Sequence, residues 1–472
     1  MRLLDVHDFI LKSGITDQAL SNSEAQIWSQ ASSAIPRYAI LSHRWIDEDE
    51  ITFDKLPTIP RTRFSNTPYK NPFPQDANSI NSPNIEKYAS SVYKIAGACQ
   101  RVRNTSDQTL RHVWIDTVCI DKSNAQELNI AINSMFRWYE NAEVCYVYLF
   151  DVSWNGANDN SSREQFKNSQ WFKRGWTLQE LLAPRKLEFF DRDWKYIGSK
   201  KELVDDISKV TSISREHLLS NFRSASLAQK MSWLANRETK FPADMSYCML
   251  GVLGVGNLEG LFMDARYSQG TNEFRRLQIE IVKKWDPALP FDESLFAWKS
   301  EKIISSGLLA PAPSCFRSCG DLVFEPSLAK LRLLPKQIGG GSPGGKTIGI
   351  FFDEANNMSI VSQWILPIPV ADVLFCVTFG LLAWVTMLPE KGRQKVIRRR
   401  DVALNCWARG TNGQLGIQKI KMEKNKDGSW QRIDCGVVNT SSSSHIYPSR
   451  MIAASYPAPL RITNGPVQFQ RT

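Results

Sequence analysis

The strongest constraint on the fold is an alternation of short apolar runs with amphipathic stretches between Arg37 and Phe190. Arg37-Tyr38-Ala39-Ile40-Leu41-Ser42 reads as a buried strand with His43-Arg44-Trp45 at its carboxyl end. Ile85, Tyr88, Val92, Ile95, Cys99 and Val102 then recur every three or four residues, which gives a helix with one apolar face. His112 to Thr117 predicts a second strand that runs out through Val118-Cys119-Ile120-Asp121. Ser123 and Gln126 have capping-box spacing for a helix that buries Leu128, Ile132, Met135, Phe136 and Tyr139. Val144 to Phe150 predicts a third strand, and Trp171 to Leu182 a helix that Pro184 cannot continue. Leu187 to Phe190 predicts a fourth strand, followed by a helix from about Lys200. Strands separated by helices predict a parallel α/β sheet covered on both faces. Such sheets bind ligands beyond the carboxyl ends of their strands. That rule gathers His43, Arg44, Asp116, Cys119, Asp121, Asp151 and Glu180 at one rim.

Within the Trp171–Pro184 stretch, Trp176 and Glu180 are four apart and share a helical face. Two readings of that pair stay open. An acid beside an indole builds a pocket for a sugar or nucleotide. Alternatively, Trp176 packs in the core and Glu180 is a solvated helix charge. Cys119, in an apolar run, reads as a buried strand-end thiol rather than as a partner for His43.

Length and charge bound the rest. A chain of 472 residues suggests two to four domains. A net charge of +10 is dilute over that length, and a dedicated nucleic-acid binder is not expected. Nine cysteines without a C-x-x-C pair, and only five histidines, argue against a structural zinc site and for reduced thiols in a cytoplasmic protein. Residues 1–35 form an N-terminal segment that reads as a short strand or turn and then polar helix, and it lacks the apolar run of a secretory signal. The α/β domain is expected over 36–198, a helical extension over 199–305 and a β-rich C-terminal domain over 306–472. Residues 57–84 read as a long loop, and Gly339 to Gly345 as a flexible one. Val373 to Leu388 carries no charge, but its sixteen residues fall short of the ~20 that span a bilayer. It reads as a pair of buried strands, with membrane contact as the competing reading.

Four segments in order carry a family resemblance. They are Tyr38-Ala39-Ile40-Leu41-Ser42-His43-Arg44-Trp45, Trp114 to Lys122, Ala131 to Tyr139, and Arg174-Gly175-Trp176-Thr177-Leu178-Gln179-Glu180-Leu181. Together they resemble the fungal heterokaryon incompatibility (HET) domain, and the similarity runs on to about residue 310. Departures occur at Ile46, where a Gly is common, and at Tyr267-Ser268-Gln269-Gly270, which replaces a Tyr-Gly-Glu-Gly segment. The resemblance implies a role in non-self recognition and regulated cell death in filamentous fungi. It also implies a core distantly like Toll/interleukin-receptor (TIR) domains, which have a flavodoxin-like parallel sheet. Some TIR domains cleave NAD with an essential Glu in a Trp-x-x-x-Glu-like setting, which Trp176 and Glu180 match here. On that basis Glu180 is the expected catalytic carboxylate, and Trp176, His43, Arg44, Asp116 and Asp121 are expected to bind substrate. No resident cofactor or metal is expected, and NAD would be the substrate. The alternative is a non-enzymatic module that signals through a protein partner or self-association.

Overall fold

The computed structural model describes residues 1–7, 11–13, 35–45, 50–58, 89–107, 109–255, 270–286, 289–299, 303–305, 309–327, 347–352, 358–363, 399–409, 415–424, 430–438, 460–461 and 468–469. They fall into two compact units, one of residues 1–224 and 236–273, the other of 225–235 and 274–472.

The first unit is a mixed α/β structure on a seven-stranded sheet in the order β2-β1-β4-β3-β5-β6-β7. The strands are β1 (Arg2–Asp5), β2 (Leu11–Ser13), β3 (Tyr38–His43), β4 (His112–Trp114), β5 (Val144–Tyr148), β6 (Leu187–Phe190) and β7 (Tyr196–Ser199). The middle four are parallel: β3 pairs with β4 and β5, and β5 with β6. β1 and β7 close the parallel part as antiparallel neighbours of β4 and β6. All six residues of β3 and all five of β5 are buried, which is why these runs are apolar without alternation. From β3 the chain passes through α1 (Ala89–Arg103) to β4 on one side, then returns to β5 on the other. The strand order therefore reverses at β3.

Local chemistry moves several predicted boundaries. The second strand ends at Trp114, not Thr117, because its ladder with β3 stops at the Ile40–Trp114 pair. The backbone then closes on itself: Cys119 N donates to Ile115 O at 2.8 Å, making the single turn α2 (Asp116–Cys119). Ser123 does not cap the next helix, since its hydroxyl and N–H both donate to Asp121 Oδ1. Asn124 does so instead, and α3 (Ala125–Asn141) starts one residue later. After α4 (Asn160–Asn168), the predicted helix over Trp171–Leu182 is in two pieces, a 3₁₀ turn at Gln170–Lys173 and α5 (Thr177–Leu182). Arg174 is extended between them, where Glu238 N donates to Lys173 O and Gly175 N donates to Glu238 O. β7 was not predicted, and α6 starts only at Val204 (Val204–Thr211). The polar helix expected before residue 35 and most of the 57–84 loop lie outside the described residues.

Aromatic side chains from the connecting segments fill the core beside the sheet. Trp114 meets Trp138 at 5.3 Å and the edge of Tyr139 at 5.9 Å. Trp171, Phe172 and Phe166 converge on Phe189 of β6. Trp194 stacks on Tyr148 at 5.0 Å, in the left-handed backbone region at φ 58°. Its carbonyl accepts a hydrogen bond from Arg101.

In the second unit, α7 (Leu227–Ser232) carries a full capping box of Ser226 and Gln229. Asp292 and Ser294 accept its next two N–H groups. In α8 (Gly270–Lys284), Gln278 clamps both backbone groups of Ala310. β8 (Ile303–Ser305) pairs with β16 (Gln468–Phe469), and β9 (Leu322–Val323), β12 (Arg399–Arg409), β13 (Leu415–Lys424) and β14 (Trp430–Val438) form a second sheet. β10 (Thr347–Phe352) joins β11 (Met358–Gln363) and β15 (Leu460–Arg461) in a third, and every pairing in this unit is antiparallel. Val373 to Leu388 lies outside the described residues. Among those described, no helix is long and apolar enough to cross a membrane.

Gly97 gives a test of the α1–sheet packing. A Cβ there would overlap the indole of Trp194, which is 1% exposed and cannot yield. Gly97→Ala is expected to lower stability by about 1–3 kcal/mol despite its better helix propensity. The check is the thermal midpoint by circular dichroism. An unchanged or raised midpoint would show that α1 does not seat against Trp194.

Candidate functional site

The end of β3 is where polar side chains enter the core. Ser42 and His43 close a strand buried along its whole length, so their side chains must find partners inside the protein. Ser42 Oγ accepts from the indole Nε1 of Trp171 at 2.8 Å and donates to Glu180 Oε2. Glu180, on α5, is only 7% exposed. Burial pushes its carboxyl up to about 7. The Ser42 hydrogen bond, the Arg174 charge and the Tyr139 hydroxyl act against burial, and the Asp116 charge acts with it.

A second set of charges lies next to this pair. His43 is buried, with Nε2 3.4 Å from Glu50 Oε1 and 3.7 Å from Asp116 Oδ1, and among the described residues neither ring nitrogen has a partner in hydrogen-bond geometry. Burial, followed by the charge of Lys94, drives the imidazole toward its neutral form. Lys94, fully buried on α1, pairs with Glu50. Trp45 Nε1 donates to Asp116 Oδ2 at 2.7 Å, and Lys122 Nζ sits 3.5 Å above the Trp45 ring. Burial pushes the Lys122 ammonium down to about 8. Burial opposes the Asp116 charge, but the Lys122 and Arg174 charges and the Trp45 hydrogen bond outweigh it and hold the carboxyl below its ordinary range. Arg174 reaches back to the His43 carbonyl at 3.3 Å.

The carboxyl ends of β3 and β4 and helix α5 thus bring His43, Asp116 and Glu180 together, as the topology predicts. Trp176, Asp121 and Asp151 are placed differently. Trp176 immediately precedes α5 and turns to Asp244, donating from Nε1 at 3.0 Å. Burial raises that Asp244 carboxyl to about 6. Asp121 accepts from Ser123 in the turn before α3. Arg44 is half-buried next to His43. Asp151 anchors the 3₁₀ turn through Ser169 and Gln170 rather than facing the charged set. Cys119 accepts from Ile115 N, and burial pushes its thiol up to about 12, which removes it as a nucleophile.

Sequence reasoning missed Ser42, Trp45, Glu50, Lys94, Lys122, Trp171 and Arg174 as members of this site. Lys94 had a signal: it is the one charge in Ala89 to Cys99, and a lone charge in such a run needs a buried counter-ion. Reading Gly339 to Gly345 as a loop also passes over two glycine-spaced patterns, G-x-S-x-G at 340–344 and G-x-x-x-x-G-K-T at 340–347. Both motifs function at a strand-to-helix turn. Here Thr347 opens the antiparallel strand β10, so that context is lacking. Among the described residues, no group of three or more His, Cys, Asp or Glu is placed to hold a metal ion.

The raised Glu180 carboxyl makes stability depend on pH. The unfolded side chain titrates near 4.5 and the folded one near 7, so between these values the native state holds a proton that the unfolded chain releases. Stability therefore falls as pH rises through this window, by up to about 3 kcal/mol, and levels off above it. Glu180→Gln mimics the protonated acid and is expected to gain on the wild type at pH 8 relative to pH 5. Thermal midpoints of both proteins at the two pH values check this, and an equal difference at both would contradict it.

The comparisons with known proteins agree on the family. The model of the heterokaryon incompatibility protein (HET) family matches residues 38–159, which include β3, β4, β5, His43 and Asp116 and stop short of Glu180. The chain is 38% identical over 236 residues to vegetative incompatibility protein HET-E-1 of Podospora anserina. That match takes in 48% of this chain but only 15% of the relative, so the chain corresponds to a small part of that protein. No solved structure matches the chain significantly. Residues 38–159 carry a HET domain.

Proposed function

We propose that this chain acts in heterokaryon incompatibility, and that its HET domain triggers cell death by cleaving NAD at Glu180. The observation that carries the reading is the position of that carboxyl. It lies where the strand order reverses at β3, and that is where open α/β sheets bind ligands. TIR-like kinship of the core agrees with this strand order.

The chemistry asks little of the protein. Cleavage breaks the ribose C1′–N bond, and the electron pair leaves with nicotinamide, which becomes neutral. Positive charge develops on the ribose, water adds at C1′, and its proton is released. A carboxylate held out of water stabilises that charge more strongly than a solvated one. A cationic substrate beside Glu180 would itself favour the ionised form.

A second reading rests on a specific observation: Ser42, His43, Glu50 and Lys94 are nearly enclosed. On that reading the charges hold the strand ends together, and the domain signals by self-association or through a protein partner.

The purified 472-residue chain, alone and forcibly oligomerised, is expected to release nicotinamide from NAD. Glu180→Gln should reduce the rate by about 100-fold or more. Because the ionised carboxyl does the work, the wild-type rate should climb with pH through about 7 and then level off. NAD left intact by the oligomerised wild type would end the enzyme reading and favour the second.

A further inference from the structure

The two partners of the Ser42 hydroxyl are of opposite kinds, one a donor and the other an acceptor. Among the described residues the Ser42 side chain hydrogen-bonds only to Trp171 and Glu180. An indole N–H can only donate, so Ser42 Oγ accepts from Trp171. That leaves the single hydroxyl proton for Glu180 Oε2. The donor cannot swing away, because the Trp171 ring is 1% exposed and wedged edge-to-face against Phe172 at 5.0 Å and Phe189 at 5.6 Å. Its turn is fixed in turn: Ser169 Oγ accepts from Trp171 N, and Thr177 Oγ1 donates to Trp171 O at 2.6 Å.

We propose that Trp171 and Ser42 form a one-way hydrogen-bond relay that fixes Oε2 of Glu180 as an acceptor and leaves Oε1 as the oxygen that carries the acid's proton or meets a ligand. Both are positioning residues for Glu180. The relay rests on the reading that Glu180 is the working group, but its geometry does not depend on which ligand the site takes. The titratable and charged groups around the carboxyl are Arg174, Asp116 and Tyr139, with Cys145, Arg237 and Cys248 beyond them. Tyr139, Cys145 and Cys248 are all raised by burial and stay protonated near neutral pH, while Asp116 stays ionised and Arg237 charged. Glu180 is therefore the group of this set that titrates near pH 7.

The test reads the protonated carboxyl directly, by infrared pH titration of the full chain with the Glu180→Gln spectrum subtracted. Asp244 is common to both proteins and cancels. Ser42→Ala removes the donor to the carboxylate and is expected to move the midpoint up by about one pH unit. Since Ser42→Ala leaves the Trp171 N–H buried without an acceptor, the double variant Ser42→Ala/Trp171→Phe removes both polar groups and should show the same rise. Ser42→Thr keeps the hydroxyl and should keep the wild-type midpoint. A midpoint unchanged or lowered in the double variant would overturn the relay. Nicotinamide release is followed on the same samples. A shifted midpoint without cleavage keeps the relay and rejects the NAD reading, and cleavage with an unmoved midpoint does the reverse.

Discussion

A carboxyl group kept out of water beyond the end of a parallel sheet is the constraint on which the first unit turns. Glu180 could escape its burial only if α5 moved off β3, and the hydrogen bond from Ser42 ties the two together. Side chains from other segments fix both ends of the helix that carries Glu180. Lys200 donates to the carbonyls of Leu181 and Pro184 and so closes the carboxyl end of the helix that carries it. Arg237 donates to Arg174 O and to Thr177 Oγ1 at the other end. The site is thus held by side chains from β3, the 3₁₀ turn, the segment after β7 and the 237–248 region, which explains why its parts are so scattered in sequence.

The neighbouring charges follow the same logic at higher density. Lys94 is fully buried, and a lone ammonium there would be costly, but Glu50 meets it. Asp116 is balanced by Lys122 and positioned by the Trp45 indole. His43, between Glu50 and Asp116, is driven toward neutrality chiefly by burial. The network therefore stays near charge balance, while Lys122 and Arg174 keep part of their length at the surface next to Trp45.

The parallel core was legible in sequence because β3 and β5 are apolar throughout and their connecting helices have a clear period. Topology then brought His43, Asp116 and Glu180 together without any distance being known. What could not be read were the groups whose role depends on a partner far along the chain. Ser42 and Trp171 are 129 positions apart, and nothing in either segment points to the other. The Trp176–Glu180 spacing was real, but it says nothing about where each side chain goes once Arg174 breaks the helix and α5 starts at Thr177. Trp176 went to Asp244, and the indole that supports the acid is Trp171, five residues earlier. The capping error at Ser123 has the same origin, since Asp121 competed for a hydroxyl that local spacing had assigned to the helix.

The most direct test of Glu180 as the centre of function is to express the full chain in yeast as wild type and as Glu180→Ala, and to follow viability together with cellular NAD. The account predicts death with NAD loss in the wild type and neither in the variant. Death of both strains with NAD unchanged would contradict it, and would leave the buried acid as a structural element of a domain that signals through a partner.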